Sequence, residues 1–468
     1  MQMKLTFLGA VQTVTGSRFL LEANGTKTLI DCGIYQERQY RDRNWDPCYI
    51  DPAQIDAVLI THAHLDHCGW LPKLVKDGFK GKVYCTTATA EIARIVLLDS
   101  AKIQMEDAAY KQKRHKKEGR TGPHPYEPLY NIEDAEASLP LFAPVAYDKT
   151  VNIADGIQIS FHDAGHILGA SMIKMIVKEN DQQRTIIFSG DIGRWDKPIL
   201  HDPTVFDHAD YVLVESTYGD RIHEDTNDIA TELANVINDA HQAGGNIIVP
   251  SFSVERSQEL LYHLNELLLA ERIPPLMAFL DSPMAIKVTE VFKDHPEMFD
   301  EQMKETIRQN RSPFDFPGLT MTRTTNGSKA INYIRGTVII IAGSGMCTGG
   351  RVKHHLANNI SRPECTVLFV GYQANGTLGR SILNGDPQVR ILGQKRDVNA
   401  KIARIHGFSG HADQSELIRW LAAFKKPPKN IFVVHGETEP AHALAELGKQ
   451  KLKYQFTVPE FRQEITLD

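Results

Sequence analysis

Hydrophobic residues in the N-terminal part of the chain form two blocks of short runs separated by turns. The first block, within residues 1–65, contains the runs KLTFLGA, SRFLLEA, TKTLIDCG and DAVLITHAH. The second block, within residues 156–217, contains the runs GIQISFHDAG, SMIKMIVKE, RTIIFSGD and ADYVLVEST. Each run has the length and apolar character of a β-strand, and a long helix from about Glu91 to Lys117 is predicted between the blocks. Because both blocks end in acidic or histidine-bearing turns, we expect two sheets whose loop ends converge.

From about Thr217 onward the pattern changes to strands that alternate with helices. The pairs are NIIVPSFS with VERSQELLYHLNELLLAE, LMAFLDS with PMAIKVTEVFKDH, and TVIIIAGSG with a helix through His354. This alternation is typical of a parallel sheet in an α/β domain. Short strands then return around ARIHGFSGHAD and NIFVVHGE. We therefore expect a first domain over residues 1–216, an inserted α/β domain over residues 217–393 and the returning part of the first domain over residues 394–468.

The net charge of −6 gives no indication of affinity for nucleic acid over the whole surface, since an acidic protein must build any phosphate-binding surface locally. A basic segment, YKQKRHKKEGR, lies at residues 110–120, at the end of the long predicted helix. A solvated helix face is the favoured interpretation of this segment, and contact with RNA is the alternative.

The cysteines and the apolar runs indicate in which cellular compartment the protein is expected. The six cysteines form no CxxC pair and are too widely spread for a dense disulfide framework, which indicates reduced thiols. No apolar run approaches about 18 residues, and polar residues interrupt the N-terminus before a signal-peptide core develops. We therefore expect a cytoplasmic protein that does not enter a membrane.

The segment ITHAHLDHCGW, residues 60–70, places three histidines and an aspartate within six positions. His62 and His64 are two residues apart and point the same way at the end of an extended strand, whereas Asp66 and His67 lie beyond the turn. Zinc prefers imidazole nitrogen and carboxylate oxygen, so one metal ion could take the first two side chains and a second ion the last two. Cys68 is interpreted as a small buried residue and not as a soft ligand.

Three residues further along the chain are candidates for the missing ligands. His166 follows the strand ISFHDA, Asp191 follows TIIF, and His435 follows IFVV. Each is flanked by glycine, which lets the backbone come close to a metal ion. One such residue alone would usually be structural, but three in the same setting, after HxHxDH, favour metal binding.

The succession HxHxDH, GHxxGA and SGD resembles the metallo-β-lactamase fold, an αββα sandwich with a two-zinc site at one edge. VESTYG around Glu215, SGHAD around His411 and VHGE around His435 resemble the three further motifs of the β-CASP branch. Members of that branch cleave messenger-RNA precursors or degrade RNA in bacteria and archaea. The resemblance covers nearly the whole chain and implies an α/β fold, in which a parallel-sheet β-CASP domain is inserted into the αββα sandwich.

The resemblance also implies two zinc ions per chain. The ligands of one ion would be His62, His64 and His166, and those of the other Asp66, His67 and His435. Asp191 would bridge both ions. Asp31, in LIDCG, matches the family's first motif and is expected to support the site through hydrogen bonds without binding metal.

Two such ions can hold a hydroxide between them and polarise a phosphodiester for in-line displacement. Asp66 is expected to orient that hydroxide. The resemblance pairs His411 with Glu215, and a neighbouring carboxylate would keep this histidine cationic so that it can protonate the departing 3′-oxygen. The products would be a 5′-phosphate and a 3′-hydroxyl.

Glycine- and serine-containing segments after strands of the inserted domain are candidates for contact with the RNA backbone. The residues concerned are Ser251, Ser253, Ser344, Gly345, Gly376, Thr377 and Arg380. A turn that needs glycine, or a capped helix start, explains each of them equally well. Together they could line a cleft between the domains that holds single-stranded RNA.

The expected function is that of a zinc-dependent ribonuclease acting on single-stranded RNA, with endonuclease and 5′–3′ exonuclease modes both open. One alternative is a hydrolase of small thioesters or lactams on the same fold, which the insertion and the Glu215–His411 pair disfavour. Another is a non-catalytic scaffold for RNA processing, which the complete ligand set disfavours. The sequence leaves a homodimer open and does not distinguish RNA from DNA.

Overall fold

The computed structural model describes residues 3–121, 126–179, 182–223, 229–309, 311–374 and 376–468. The chain divides into two compact units. Unit 1 consists of Met1–Lys197, His201–Ile222 and Gly410–Asp468. Unit 2 consists of Pro198–Leu200 and His223–Ser409.

The part of unit 1 that precedes the insertion contains strands and helices in alternating groups. Its strands are β1 (Met3–Phe7), β2 (Phe19–Ala23), β3 (Thr26–Ile30), β4 (Ala57–Leu59), β5 (Lys82–Cys85), β6 (Phe142–Pro144), β7 (Val151–Ala154), β8 (Ile157–Asp163), β9 (Ser171–Glu179), β10 (Gln182–Phe188) and β11 (Tyr211–Val214). Its helices are α1 (Leu65–Cys68), α2 (Leu71–Lys76), α3 (Thr87–Glu118) and α4 (Ile132–Ser138).

Unit 2 carries the strand–helix alternation. Its strands are β12 (Ile247–Pro250), β13 (Met277–Leu280), β14 (Leu319–Met321), β15 (Val338–Ala342), β16 (Thr366–Phe369), β17 (Gln388–Ile391), β18 (Gln394–Asp397) and β19 (Lys401–Arg404). Its helices are α5 (Ile229–Ala243), α6 (Arg256–Leu269), α7 (Pro283–Asp294), α8 (Glu301–Arg308), α9 (Thr325–Ala330), α10 (Val352–Asn359) and α11 (Leu378–Leu383).

The chain then returns to unit 1. The elements of this last part are α12 (Gln414–Leu421), β20 (Asn430–Val433), α13 (Thr438–Leu452), β21 (Phe456–Thr457) and β22 (Glu464–Leu467). The helix α12 starts at a capping box, in which the side chain of Asp413 accepts hydrogen bonds from the first turn and the side chain of Glu416 accepts one from the backbone of Asp413.

Unit 1 is a sandwich of two seven-stranded sheets. The strand order is β22-β1-β2-β3-β4-β5-β6 in one sheet and β21-β20-β11-β10-β9-β8-β7 in the other. Apolar side chains of both sheets form one buried core, with Phe7 from the first sheet and Phe161, Ile186 and Phe432 from the second. The helix α3 packs against β6, and α13 packs against β20 and β21. The two predicted sheets and the αββα order are therefore confirmed.

Three neighbouring strands of the second sheet bring distant parts of the chain to one edge. Strand β10 pairs in parallel with β11, and β11 pairs in parallel with β20. Because the carboxyl ends of parallel neighbours lie at the same edge, the segments after these three strands come together there. These segments carry the SGD, VEST and VHGE motifs.

Unit 2 is built on a six-stranded sheet with the order β14-β13-β15-β12-β16-β19. Every neighbouring pair in this sheet is parallel. Strands β17 and β18 form a separate antiparallel pair. The parallel α/β architecture predicted from the strand–helix alternation is confirmed.

The return to unit 1 comes later than the sequence suggested. Residues 394–409 were expected in the returning part of the first domain, because their short strands resemble those of that domain. Strand β18 instead pairs with β17, and β19 pairs in parallel with β16, which keeps these residues in unit 2. The long helix α3 begins at Thr87, four residues before the predicted start.

Candidate metal centre

The HxHxDH segment begins at the carboxyl end of β4 and turns directly into the short helix α1. The backbone N–H groups of His67 and Cys68 both donate to the carbonyl oxygen of His64, which closes this turn. A Cβ atom at Gly33 would lie 1.6 Å from the carbonyl oxygen of Asp66, so only glycine fits beside the turn. The local chain path therefore holds the motif in one place.

The first group of candidate ligands gathers three histidines and one carboxylate: His62, His64, His166 and Asp191. The Nε2 atom of His62 lies 3.0 Å from Nδ1 of His64, and Nε2 of His166 lies 3.4 Å from that same atom. The Oδ2 atom of Asp191 is 3.4 Å from Nε2 of His62 and 3.4 Å from Nε2 of His166. All four potential ligand atoms lie within 4.8 Å of one another, so this group could hold a metal ion.

The second group consists of Asp66, His67 and His435. The Nε2 atoms of His67 and His435 are 3.0 Å apart, although the two residues are separated by 368 positions. The Oδ2 atom of Asp66 lies 3.6 Å from Nε2 of His435 and 3.9 Å from Nε2 of His67. This group could hold a second metal ion.

Asp191 stands between the two groups. Its Oδ2 faces the first group, and its Oδ1 lies 3.3 Å from Nε2 of His67 and 3.4 Å from Nδ1 of His435. The Oδ1 atom is buried and makes no hydrogen bond of normal geometry within the described part of the chain. A buried carboxylate oxygen without a hydrogen bond is rare and is well explained by a cation that it would bind. The residues present therefore fit a site for two metal ions joined by Asp191.

Hydrogen bonds on the far side of the rings set which nitrogen His62 and His166 turn to the centre. The Nδ1 atom of His166 lies 2.9 Å from the carbonyl oxygen of Gly410 and must donate to it, because a carbonyl oxygen only accepts. The Nδ1 atom of His62 lies 3.1 Å from the hydroxyl of Thr61. In both rings the Nε2 atom remains for a metal ion, which is the arrangement found in metal sites whose histidine ligands are oriented by a hydrogen bond from the other nitrogen.

The charges of the site divide the histidines into two kinds. Burial lowers the pKa of His62, His64 and His166, that of His64 to about 3, so these rings are neutral and able to bind metal. Burial also opposes protonation of His67 and His435, but nearby carboxylates, above all Asp191, outweigh it and raise the pKa of both. The carboxylates of this site therefore favour positive charge at its centre, which metal ions would supply.

Asp31 supports the HxHxDH segment without being one of the clustered candidate ligands. Its Oδ2 lies 2.7 Å from Nδ1 of His67, and its Oδ1 accepts hydrogen bonds from the backbone and hydroxyl of Thr61. The hydroxyl of Ser17 donates to Oδ2 at 3.0 Å. Asp31 is therefore placed to orient His67, as the sequence predicts.

Replacing Asp31 by asparagine should weaken metal binding by about 10- to 100-fold, since a neutral amide orients His67 less strongly and lowers its basicity. Asparagine tolerates the left-handed backbone of this position, where φ is 58°. Affinity would be measured by competition with a chromophoric chelator. An unchanged affinity in a variant whose circular dichroism matches wild type would contradict a supporting role.

Glu215 and His411 form a pair beside the first group of ligands. The Nδ1 atom of His411 lies 3.1 Å from Oε1 of Glu215 and 3.9 Å from Oδ2 of Asp191. Glu215 is fully buried, and its Oε1 also accepts the backbone N–H of Ile192. Burial lowers the pKa of His411, but the charge of Glu215 and its hydrogen bond outweigh this and raise the pKa to about 9. The pair predicted from the two separate motifs is thus within hydrogen-bonding distance.

Cys68 has the environment expected of a structural residue. Its side chain is fully buried, and burial raises the pKa of its thiol well above the usual value. All six cysteines are free thiols in the structure.

The candidate substrate-binding residues of unit 2 follow three neighbouring strands of its parallel sheet. Ser251 and Ser253 follow β12, Ser344 and Gly345 follow β15, and the remaining three follow β16. The neighbours β15, β12 and β16 are parallel, so these segments share one edge of the sheet. Ligands commonly bind at that edge in α/β domains.

Most of these polar side chains already have partners within unit 2. The hydroxyl of Ser253 contacts that of Ser282 at 3.2 Å, and Ser344 Oγ accepts the backbone N–H of Thr348 at 3.0 Å. Thr377 caps α11 by accepting the backbone N–H of Arg380. The Nε atom of Arg380 is buried and has no hydrogen-bond partner within the described ranges. Contact of these residues with RNA stays a prediction.

Two features of the site were missed by the sequence reasoning. Thr61 contacts both Asp31 and His62 and so orients the candidate metal-binding segment. Its signal in the sequence is a polar residue directly before HxH at the end of a buried strand. Phe252 lies between the two candidate serines, with 39% of its surface exposed. A Cβ at Gly345 would come within 2.6 Å of its ring and one at Gly371 within 3.2 Å, so the two glycines make room for it.

Three domain models match the chain. The metallo-β-lactamase superfamily domain matches residues 20–211, and the Beta-Casp domain matches residues 257–382. A third model, described as the Zn-dependent metallo-hydrolase RNA specificity domain, matches residues 395–459.

Curated relatives align over nearly the full chain. Ribonuclease TTHA0252 of Thermus thermophilus is 38% identical over 95% of this chain and 96% of its own length. Transcription termination factor FttA of Methanosarcina mazei is 32% identical over 96% of this chain and 69% of its own length. The protein of the same name from Methanocaldococcus jannaschii is 30% identical over 97% of this chain and 70% of its own length.

A solved structure of a protein of unknown function from Enterococcus faecalis aligns over the full length of both chains. It has a TM-score of 0.55 and 12% sequence identity, and this likeness supports the fold alone. The family rests on the relatives of 30% identity or more, on the domain models and on the motifs gathered at the metal centre. The chain therefore belongs to the β-CASP family of metal-dependent hydrolases within the metallo-β-lactamase superfamily.

Proposed function

We propose that this protein is a zinc-dependent ribonuclease that hydrolyses phosphodiester bonds of single-stranded RNA and leaves a 5′-phosphate and a 3′-hydroxyl. The observation that carries the proposal is the juxtaposition of two ligand groups, joined by Asp191, with the His411–Glu215 pair. The name of the Thermus relative and the RNA specificity domain over residues 395–459 support RNA as the substrate.

In this proposal zinc would be held by His62, His64 and His166 at one position and by Asp66, His67 and His435 at the other, and Asp191 would contribute to both. Bound zinc ions would supply Lewis acidity, which makes hydroxide available from water near neutral pH and neutralises charge on the phosphate. Imidazole and carboxylate are the ligand types that zinc prefers.

The protein's own residues would handle the protons and the orientation of water. The carboxylate of Asp66 is partly exposed, with 17% of its side-chain surface accessible, so it can orient a water molecule that enters the site. The Nδ1 atom of His411 donates to Glu215, so a proton for the departing 3′-oxygen would come from Nε2. Such a general acid typically contributes about 10²- to 10⁴-fold to the rate.

The proposed RNA-binding residues of unit 2 are Ser251, Ser253, Ser344, Gly345, Gly376, Thr377 and Arg380. Their common position at the carboxyl edge of the parallel sheet supports contact with the sugar–phosphate backbone. Phe252 lies in the same segment as two of them and offers an exposed aromatic ring on which a nucleobase can stack.

Replacing Phe252 by alanine should weaken the binding of single-stranded RNA by about tenfold, because stacking of one base contributes about 1–3 kcal/mol. Replacement by tryptophan, which preserves an aromatic face, should retain binding. Fluorescence anisotropy with a labelled RNA measures the affinity of both variants, and a chelator in the buffer prevents cleavage. Equal binding by the alanine variant and wild type would argue that Phe252 only packs against the neighbouring glycines.

The activity itself is tested by incubating purified protein with 5′-labelled and with 3′-labelled RNA, with added zinc or with chelator. Internal fragments in both experiments indicate an endonuclease, whereas mononucleotides released from one end indicate a 5′–3′ exonuclease. We expect cleavage only with metal, and 5′-phosphate ends on the fragments. Hydrolysis of a small thioester beside untouched RNA would overturn the proposal, and so would metal-loaded protein that leaves both substrates intact.

We further propose that the protein works in the cytoplasm, which the six free thiols support. Among the described residues, no helix combines the length and the apolar character that crossing a membrane requires. We also propose a homodimer. Light scattering of the purified protein measures its molar mass in solution, which distinguishes one chain from two.

A further inference from the structure

The second half of α3 leaves the core of unit 1. In the first fifteen residues of this 32-residue helix, buried side chains recur every three to four positions up to Ala101. From residue 102 to the end of the helix at Glu118, only Ala108 is buried. These 17 residues correspond to about 25 Å of helix with solvent on nearly all sides. We call residues 102–120 the basic arm.

The end of the basic arm carries a strong local charge. Residues 109–120 contain six lysines and arginines and one carboxylate, a net charge of +5 in a chain whose total is −6. Arg114 and Arg120 lie within 3.8 Å and 2.6 Å of Glu118. By contrast, Lys113 and Lys117 make no ion pair with any residue that the structure describes. Such a concentration of cations, only two of which share the single carboxylate of this segment, costs repulsion energy and suits an anionic partner.

Helical periodicity gathers cations and an aromatic ring on one face of the basic arm. Tyr110, Lys113, Arg114 and Lys117 are spaced i, i+3, i+4 and i+7, so they lie along the same side. Tyr110 is 65% exposed. Cations that track a phosphate backbone, beside an aromatic ring on which a base can stack, are the two components of single-strand binding surfaces.

A polynucleotide fits this face better than a lipid surface does. A helix that lies on a membrane needs a broad apolar face opposite its cations. Here the exposed large apolar residues are Ile103, Met105 and Tyr110, and the helix period places Met105 on the opposite side from the other two. The arm therefore offers charge and one aromatic ring, but no apolar face to insert.

The start of α3 is tied to the loop that carries a candidate metal ligand. The hydroxyls of Thr86 and Thr89 both donate to the carbonyl oxygen of Gly169, three residues after His166. Lys113 lies 26 residues beyond Thr87, which is about 39 Å along the helix. Only an RNA that extends tens of ångströms from the scissile bond could contact both the metal centre and the basic face.

We propose that the basic arm is an RNA-binding surface outside the metal centre, which holds the distant part of a long single-stranded substrate. This inference rests on the proposed function for the identity of the substrate. Its consequence is a dependence on RNA length: long RNAs gain affinity from the arm, and short ones do not.

The test compares a triple variant, Lys113→Ala, Arg114→Ala and Lys117→Ala, with a matched control, Lys149→Ala, Lys449→Ala and Lys451→Ala. Both remove three exposed cations from the full-length protein, and alanine in the arm variant preserves the helix α3. A His411→Ala background with metal bound limits cleavage, and anisotropy reports the binding of 8- and 40-nucleotide RNAs. Circular dichroism checks that both variants fold.

We expect the arm variant to bind the 40-nucleotide RNA about 10- to 100-fold more weakly at 0.1 M salt. The slope of log affinity against log salt should fall by about 2, since each lost phosphate contact on a single strand contributes about 0.7. The 8-nucleotide RNA and the control variant should bind as before. In the active protein, the KM for long RNA should rise with kcat unchanged.

Three outcomes would overturn the proposal. In the first, the arm variant binds the long RNA with unaltered affinity and salt slope. In the second, the control variant loses as much affinity for the long RNA as the arm variant does. In the third, the arm is needed only for sedimentation of the protein with phosphatidylserine vesicles. Failure of the proposed function gives a different result, because wild-type protein would then cleave no RNA in the presence of metal. The anisotropy measurement would still report whether the basic arm binds RNA.

Discussion

Replacement of Asp191 by asparagine is expected to lower the rate of RNA cleavage by about 10³-fold and to reduce the metal content below two ions per chain. Asp191 is 2% exposed, and its two oxygens face different groups of histidines. Loss of its charge from a buried site removes several kcal/mol of charge stabilisation, and each 1.36 kcal/mol corresponds to a tenfold change in rate. Cleavage of labelled RNA and mass spectrometry of bound metal measure the two effects.

A surface carboxylate provides the control for this prediction. Asp207 pairs with Lys425 and is 72% exposed, so Asp207→Asn removes the same charge without touching the site. We expect this control to retain full activity and metal. If Asp191→Asn kept two ions per chain and its full rate, the assignment of a bridging role to Asp191 would be wrong.

Replacement of His411 by alanine should reduce cleavage by about 10²- to 10⁴-fold while both metal ions remain bound. The physical reason is that His411 is paired with buried Glu215 at 3.1 Å and would protonate the leaving oxygen, whereas it is outside the two ligand groups that contain the HxHxDH residues. Retention of metal separates this variant from Asp191→Asn. His442→Ala, an exposed histidine of α13, is the matched control and should behave as wild type.

A modified substrate tests the role of His411 directly. When the departing 3′-oxygen is replaced by sulfur, the leaving thiolate needs no proton, so the penalty of His411→Ala should largely vanish. Glu215→Gln should lower the rate less than additively in combination with His411→Ala, because the two side chains act as one unit. An equal penalty on the oxygen and sulfur substrates would assign His411 to positioning, not to proton transfer.

One part of the candidate metal centre could be predicted from sequence because its residues are close neighbours in the chain. His62 and His64 are two residues apart on an extended segment, and Asp66 and His67 follow on a single turn of helix, so spacing alone determines their relative directions. Asp191 and His435 could be nominated only by their position after apolar strands and by motif. Their actual closeness to His67 depends on the parallel pairing of β10, β11 and β20.

Residues 394–409 show where sequence reasoning reaches its limit. A short strand such as KIAR has the same appearance in either domain, and its four residues do not indicate which sheet it joins. The choice is made by backbone hydrogen bonds with β16, a strand that lies more than thirty residues earlier. The position of the Phe252 ring is a similar case, since two glycines from other segments of unit 2 leave the space that it occupies.

By itself the sequence determined the residue types, their local spacing and the alternation of elements. Together with the motifs that resemble the metallo-β-lactamase and β-CASP families, these were sufficient for the fold class and for the nomination of the metal ligands. Tertiary structure decided which nitrogen of each histidine faces the centre, that Asp191 turns one oxygen to each group, and that the end of α3 leaves the core. The physical reason is that periodicity and spacing describe contacts between near neighbours in the chain. Contacts across hundreds of residues arise only when strands pair and bury their apolar faces together.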